Sequence, residues 1–127
     1  MDMRGRDELF YKIGHDSDNE LLWEAVSKAE YPNKSDDSGL TCLHVAAMNY
    51  KVGAAEILLK KGADPNCVDN TGMTPLSYAI GRKKSNRVQM VQMLLDYGAD
   101  LDYKRKDKTI RETIKMIQNP DLMQFVD

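Results

Sequence analysis

The sequence predicts an all-α solenoid, a stack of about four helix-turn-helix units joined by extended turns. Two observations predict it. The chain repeats itself with a 33-residue period, and in each repeat the capping and apolar positions fall where a pair of short helices needs them.

The period appears when residues 36–68 are set above residues 69–104. Asp36, Gly39, Thr41, Leu43 and Ala46 recur as Asp69, Gly72, Thr74, Leu76 and Ala79, each 33 residues on. Leu58, Leu59, Gly62, Ala63 and Asp64 recur as Leu94, Leu95, Gly98, Ala99 and Asp100, now 36 residues on, so the second copy has gained three residues. A unit of this size cannot bury its apolar face alone and must stack on its neighbours.

The first unit, residues 1–35, is degenerate. Leu9, Phe10 and Ile13 predict one helix and Leu21, Leu22 and Val26 a second, with Ser17 and Glu20 as a capping box. Trp23 falls at an outward-facing position in this register. Pro32, Asn33 and Asp36 stand 33 residues before Pro65, Asn66 and Asp69, which ties the unit to the repeat.

In the second unit, residues 36–68, Thr41 is the N-cap of a first helix. Ala46 and Ala47 are small enough to let neighbouring helices approach. Ala54, Ile57 and Leu58 line a second helix, which Gly62 ends in the left-handed conformation. The third unit, residues 69–104, has Thr74 as cap and Pro75 at the first helical position, where its missing N–H costs nothing. Asn86 with Gln89 predicts a capping box before Val88, Val91, Leu94 and Leu95, and Gly98 ends that helix. Residues 64–73 and 100–108 are expected as extended turns. The fourth unit, residues 105–127, starts with a Thr109–Glu112 capping box and an Ile110, Ile114, Ile117 stripe. Asn119–Pro120 opens a last helix carrying Leu122, Phe125 and Val126. Degenerate, more polar terminal units are expected where the ends of a stack face water.

These residues resemble the ankyrin-repeat family. Its pattern, D-x-x-G-x-T-P-L-H-x-A-A followed by L-L-x-x-G-A-D-x-N, is met nearly in full from Asp36 to Asn66. From Asp69 to Asp100 it is met with Ser77 for His, Ile80 for Ala and the three-residue insertion. The resemblance implies that His44, in the T-P-L-H position, is a hydrogen-bonding strut. It also implies that turn tips and first helices form a concave face that binds another protein.

Composition bounds the rest. The 127 residues are 42% hydrophobic and 30% charged, which fits one soluble globular domain. No apolar run approaches the roughly 20 residues of a membrane span, so no membrane partner is expected. MDMRGRDELF lacks the apolar core of a secretory signal, so a cytoplasmic location is expected, with both cysteines as free thiols. The net charge of −2 conceals a gradient. Residues 1–40 carry ten acids and five bases, whereas residues 41–127 carry thirteen bases and ten acids.

Cys42 and His44 raise the question of nucleophilic chemistry, which needs a base beside the thiol and a third group to orient it. On a helix, residues two apart point about 200° away from one another, and the next unit has Pro75 and Ser77 in their places. No catalytic residue is therefore assigned. HDSDNE, residues 15–20, offers a His and three acids but reads as a loop and helix start, with acids at the positive end of the helix dipole. No metal or cofactor is expected. The basic clusters 82–87 and 104–108 read as solvated loops or as a patch for an acidic protein. The acidic balance and the lack of interleaved aromatics argue against nucleic acid.

Function is therefore expected on the surface, as a non-enzymatic module binding one protein partner. The expected contacts are Asp37, Ser38, Leu40, Met48 and Asn49, then Asn70, Thr71, Met73 and Arg82, with Lys83, Lys84 and Arg87 of the basic insertion beside them. Leu40 and Met73, each following a turn glycine, stand out as matching apolar tips. Small stand-alone ankyrin proteins with degenerate ends resemble bacterial immunity proteins, which implies a toxin or effector enzyme as the masked partner. A homo-oligomer, with the acidic first unit of one copy on the basic last unit of another, is the alternative.

Overall fold

The computed structural model describes residues 8–126. Four helix pairs follow one another: α1 (Glu8–His15) with α2 (Glu20–Ser27), α3 (Cys42–Met48) with α4 (Val52–Lys60), α5 (Pro75–Ala79) with α6 (Arg87–Asp96), and α7 (Ile110–Ile117) with α8 (Pro120–Met123). A two-residue-per-strand hairpin, β1 (Lys104–Arg105) and β2 (Lys108–Thr109), precedes the last pair. The first helices α1, α3 and α5 pack in one row and the second helices α2, α4 and α6 in another.

Local chemistry places each boundary. Thr41, Thr74 and Thr109 are N-caps in extended conformation, and each side chain accepts a bond from the backbone N–H three residues on. Glu112 completes a capping box at Thr109; at Thr41 the His44 ring takes that part. Pro75 is the first helical residue of α5, and Cys42 holds the matching place in α3. Gly62 and Gly98 follow α4 and α6 at φ 100°, a left-handed turn that frees Ala63 N–H and Ala99 N–H to bond Leu58 O and Leu94 O.

One core runs through the stack. Leu22, Leu43, Leu58, Leu76, Leu94, Ile114 and Leu122 are almost fully buried, with Ala46, Ala47, Ala54 and Ala79 between them as close-contact positions. Fully burying each large aliphatic chain contributes about 1.5–3 kcal/mol. Asn33 and Asn66 fasten unit to unit. Asn33 Nδ2 donates to Gly62 O (3.1 Å) while its Oδ1 accepts from Asp64 N (2.7 Å), and Asn66 does the same with Gly98 O and Asp100 N (2.9 and 2.8 Å).

Five expectations need correction. α2 is capped by Asn19, not by a Ser17–Glu20 box. Asn86 makes no side-chain cap for α6, because its Nδ2 reaches back to Tyr50 O (2.8 Å). Trp23 does not face outward: its ring lies against Gly53 of α4 and its Nε1 donates to Asp18 Oδ1 (2.8 Å). Leu21 is 80% exposed, because Leu22 and Val26 take the fully buried face of α2. Ile117, the last residue of the α7 stripe, is likewise exposed.

Candidate protein-interaction surface

The turn tips are built by two buried aspartates. Asp36 Oδ1 accepts from Ser38 N, Ser38 Oγ and Leu40 N (2.8, 2.7 and 2.9 Å). Asp69 Oδ1 accepts the matching set from Thr71 N, Thr71 Oγ1 and Met73 N (2.9, 2.7 and 3.0 Å). Burial pushes the Asp69 carboxyl up, but bonds from Thr71, Tyr78 and Met73 outweigh it and hold its pKa below the usual value. Gly39, at φ 83°, allows the tips to touch: a Cβ there would stand 2.9 Å from Asn70 N.

The tips are joined into a ladder. Asn70 N donates to Ser38 O (2.9 Å) and Asn70 Nδ2 to Asp37 O (3.1 Å). The β1–β2 hairpin continues the series, with Arg105 Nε donating to Thr71 O and Tyr103 OH to Gly72 O (2.9 and 2.8 Å). Behind the tips, Met48 and Asn49 close α3, and Arg82 Nη1 lies 3.5 Å from Met48 O, a cation at the negative end of that helix.

Asp37, Ser38, Asn70, Thr71, Arg82, Lys83 and Lys84 are exposed, and Leu40, Met48, Asn49 and Met73 are half-buried. The tip ladder brings Asp37 and Ser38 to Asn70, and Arg82 reaches Met48. Leu40 and Met73 are not bare tips: each residue is half-buried, and each backbone N–H is held by an aspartate. Arg87 departs from the expected patch. Its side chain is 4% exposed, Nη1 donates to Arg82 O (3.0 Å), and Nη2 lies 4.0 Å from Asp121 Oδ2. As the first residue of α6 it points under the loop that Lys83 and Lys84 leave for water.

The thiol beside His44 is Cys67, not Cys42. Thr41 N–H donates to His44 Nδ1 (3.1 Å), so the proton sits on Nε2, which donates to Met73 O (2.9 Å) across to the next unit. Cys67 Sγ is 3.7 Å from Nδ1 and 3.4 Å from Thr41 Oγ1. Burial pushes the imidazole pKa down and the Cys67 thiol up, so both stay neutral, the opposite of a thiolate–imidazolium pair. Neither cysteine forms a disulfide. The signal for Cys67 was its place just before the Asp69 turn, which the repeat sets against the preceding cap. Asp18 is spent as well: its carboxylate takes Gly53 N and Ala54 N (2.9 and 3.1 Å), capping α4 from the unit before. Among the described residues no group of three or more His, Cys, Asp or Glu is placed to hold a metal, and no helix is long and apolar enough to cross a membrane.

Paired helices, the tip ladder and the His44 strut define a helical repeat solenoid with exposed turn tips. The family described as ankyrin repeats, in three copies, matches residues 9–105, and the chain belongs to it. A Rickettsia felis protein described as an ankyrin repeat protein is 36% identical over 77 residues, 57% of this chain and 34% of that protein. The Drosophila melanogaster neurogenic locus Notch protein is 35% identical over 95 residues, 74% of this chain. Human Notch homolog protein 1 is 36% identical over 81 residues. The chain spans about a third of the Rickettsia protein and 3% of each Notch protein. The fold is that of a generic protein–protein interaction module.

Proposed function

We propose that the chain is a stoichiometric, non-enzymatic binder that masks one protein partner in the cytoplasm, in the manner of an immunity protein neutralising a toxin or effector enzyme. One observation carries this reading: Asn70 joins Asp37 and Ser38 in a bonded row of exposed polar groups, with exposed Thr71 next to it, beside half-buried Leu40, Met48 and Met73. Apolar contacts ringed by polar groups suit a specific interface, the former for desolvation and the latter for register. His44, Cys67 and Asp18 are committed to the scaffold, which favours the surface as the acting part. The test is affinity capture from native host cells, identification of the bound protein, and titration of its activity with the pure chain. Loss of activity complete at a 1:1 ratio supports masking. A saturated complex with full partner activity contradicts it and points to scaffolding.

The alternative, head-to-tail self-assembly, is favoured by Leu21, which stands exposed between Glu20 and Glu24 on the acidic first unit. Sedimentation at low salt distinguishes it: association that rises with concentration and disappears in Leu21→Glu supports assembly, and a monomer at high concentration contradicts it.

A further inference from the structure

α5 has five residues and α7 has eight. A groove of about 380 Å³ lies between them, bordered on a third side by the β1–β2 hairpin. This lies within the size range of built recognition pockets, roughly 300–1,000 Å³. Its apolar lining is Met73, Ile80, Ile110 and Ile117, of which Ile117 keeps 45% of its surface exposed. An isoleucine left bare in a concavity gains from cover that a flat surface does not offer.

The border is cationic. Arg105, Lys106 and Lys108 line it against a single carboxylate, Asp107. Gly81 also lines the groove, and the chain leaves it directly into exposed Arg82, Lys83 and Lys84. Apolar lining excludes a purely polar occupant, and the cations repel a basic one. No aromatic ring lines the groove, so a nucleic acid would find charge but no stacking platform. Charge and lining together suit one chemistry.

We infer that this groove takes an acidic segment of the partner protein, with one apolar side chain seated on Ile80, Ile110 and Ile117 and flanking carboxylates facing Arg105, Lys106 and Lys108. This rests on the protein-binding reading above and supplies the chemistry of the partner. The segment's carboxylates supply steering and register, and its apolar anchor supplies affinity.

The test is selection of a random 12-residue peptide library on the full chain, followed by binding of the enriched peptides as synthetic copies. The expected peptides carry Leu, Ile, Phe or Met flanked by Asp or Glu. Their affinity is expected to fall about tenfold or more in Ile117→Glu and in the Lys106→Glu, Lys108→Glu double variant, and to weaken in high salt. All three positions are exposed, and a melting temperature near the parent value confirms the fold. No enrichment, enriched peptides without acids, or equal binding by the variants overturns the inference. So does low-salt self-association abolished by Leu21→Glu, which would assign the groove to a second copy. Native-partner capture separates the two readings. If Met48→Glu abolishes capture and Ile117→Glu leaves it intact, the groove inference fails and the protein-binding reading stands. If neither changes capture, the groove inference fails and so does the placement of the interface on the tips and first helices.

Discussion

His44 is fully buried and uses both ring nitrogens, one to cap α3 and one to hold the next turn. Its replacement by Ala leaves a cavity and two unpaired backbone groups, an expected loss of about 2–4 kcal/mol in urea unfolding. It also gives stability a pH dependence. Burial lowers the folded-state pKa below the ordinary 6.5, so on acidification the unfolded chain takes up a proton before the folded one does. Stability is therefore expected to hold above about pH 6.5 and to fall as pH drops from there toward the lowered folded pKa. A midpoint series from pH 7.5 to 5.5 checks this, and in His44→Gln the slope in that window should flatten. Gly53→Ala sets two effects in opposition. A helical Ala gains about 1 kcal/mol over Gly, but its Cβ would meet the Trp23 ring at 2.3–2.7 Å. Overpacking costs about 1–3 kcal/mol, so net destabilisation with altered tryptophan fluorescence is expected. Thr41 and Leu43 were legible because the repeat fixes their roles, and His44 because the family resemblance implies a strut at its position. Trp23 was not, because the first unit departs from the pattern and its register depends on a contact with Gly53, far along the chain.

At the scale of elements, the helix starts divide by what caps them. α3, α5 and α7 carry their own caps, and all three were readable from a Thr at the right offset. α4 borrows its cap from Asp18, 35 residues earlier, and no local pattern announces that. Asp18→Ala is expected to cost about 1–2 kcal/mol and to release the Trp23 indole, seen as a lower melting temperature with a shifted emission maximum. Ser17→Ala, at the residue first read as the cap, should change stability by less than about 0.5 kcal/mol. Two second helices depart from the reading at their starts for different reasons: α2 is capped by Asn19 rather than Ser17, and Asn86 bonds Tyr50 O of the preceding unit instead of its own helix.

For the whole molecule, the repeat made the stack of helix pairs legible, while the groove between α5 and α7 was not. It arises from the unequal lengths of two helices and from a hairpin whose tip, Lys106, turns at φ 60°. The basic cluster at 104–108 was visible; that it borders an apolar concavity depended on packing. The cluster at 82–87 divided, with Arg82, Lys83 and Lys84 in water and Arg87 buried. Arg82→Glu, Lys83→Glu, Lys84→Glu is therefore expected to slow partner association and flatten its salt dependence, while the dissociation rate changes little. Stopped-flow association at two ionic strengths checks this.

A molecule that acts through its tips and first helices must bury them when its partner binds. Hydrogen–deuterium exchange of the chain, free and bound to its captured partner, tests this most directly. New protection is expected at residues 37–40, 48–49, 70–73 and the β1–β2 hairpin, with α2, α4 and α6 unchanged on their outer faces. Protection confined to those second helices, with the tips exchanging as in the free chain, would contradict it.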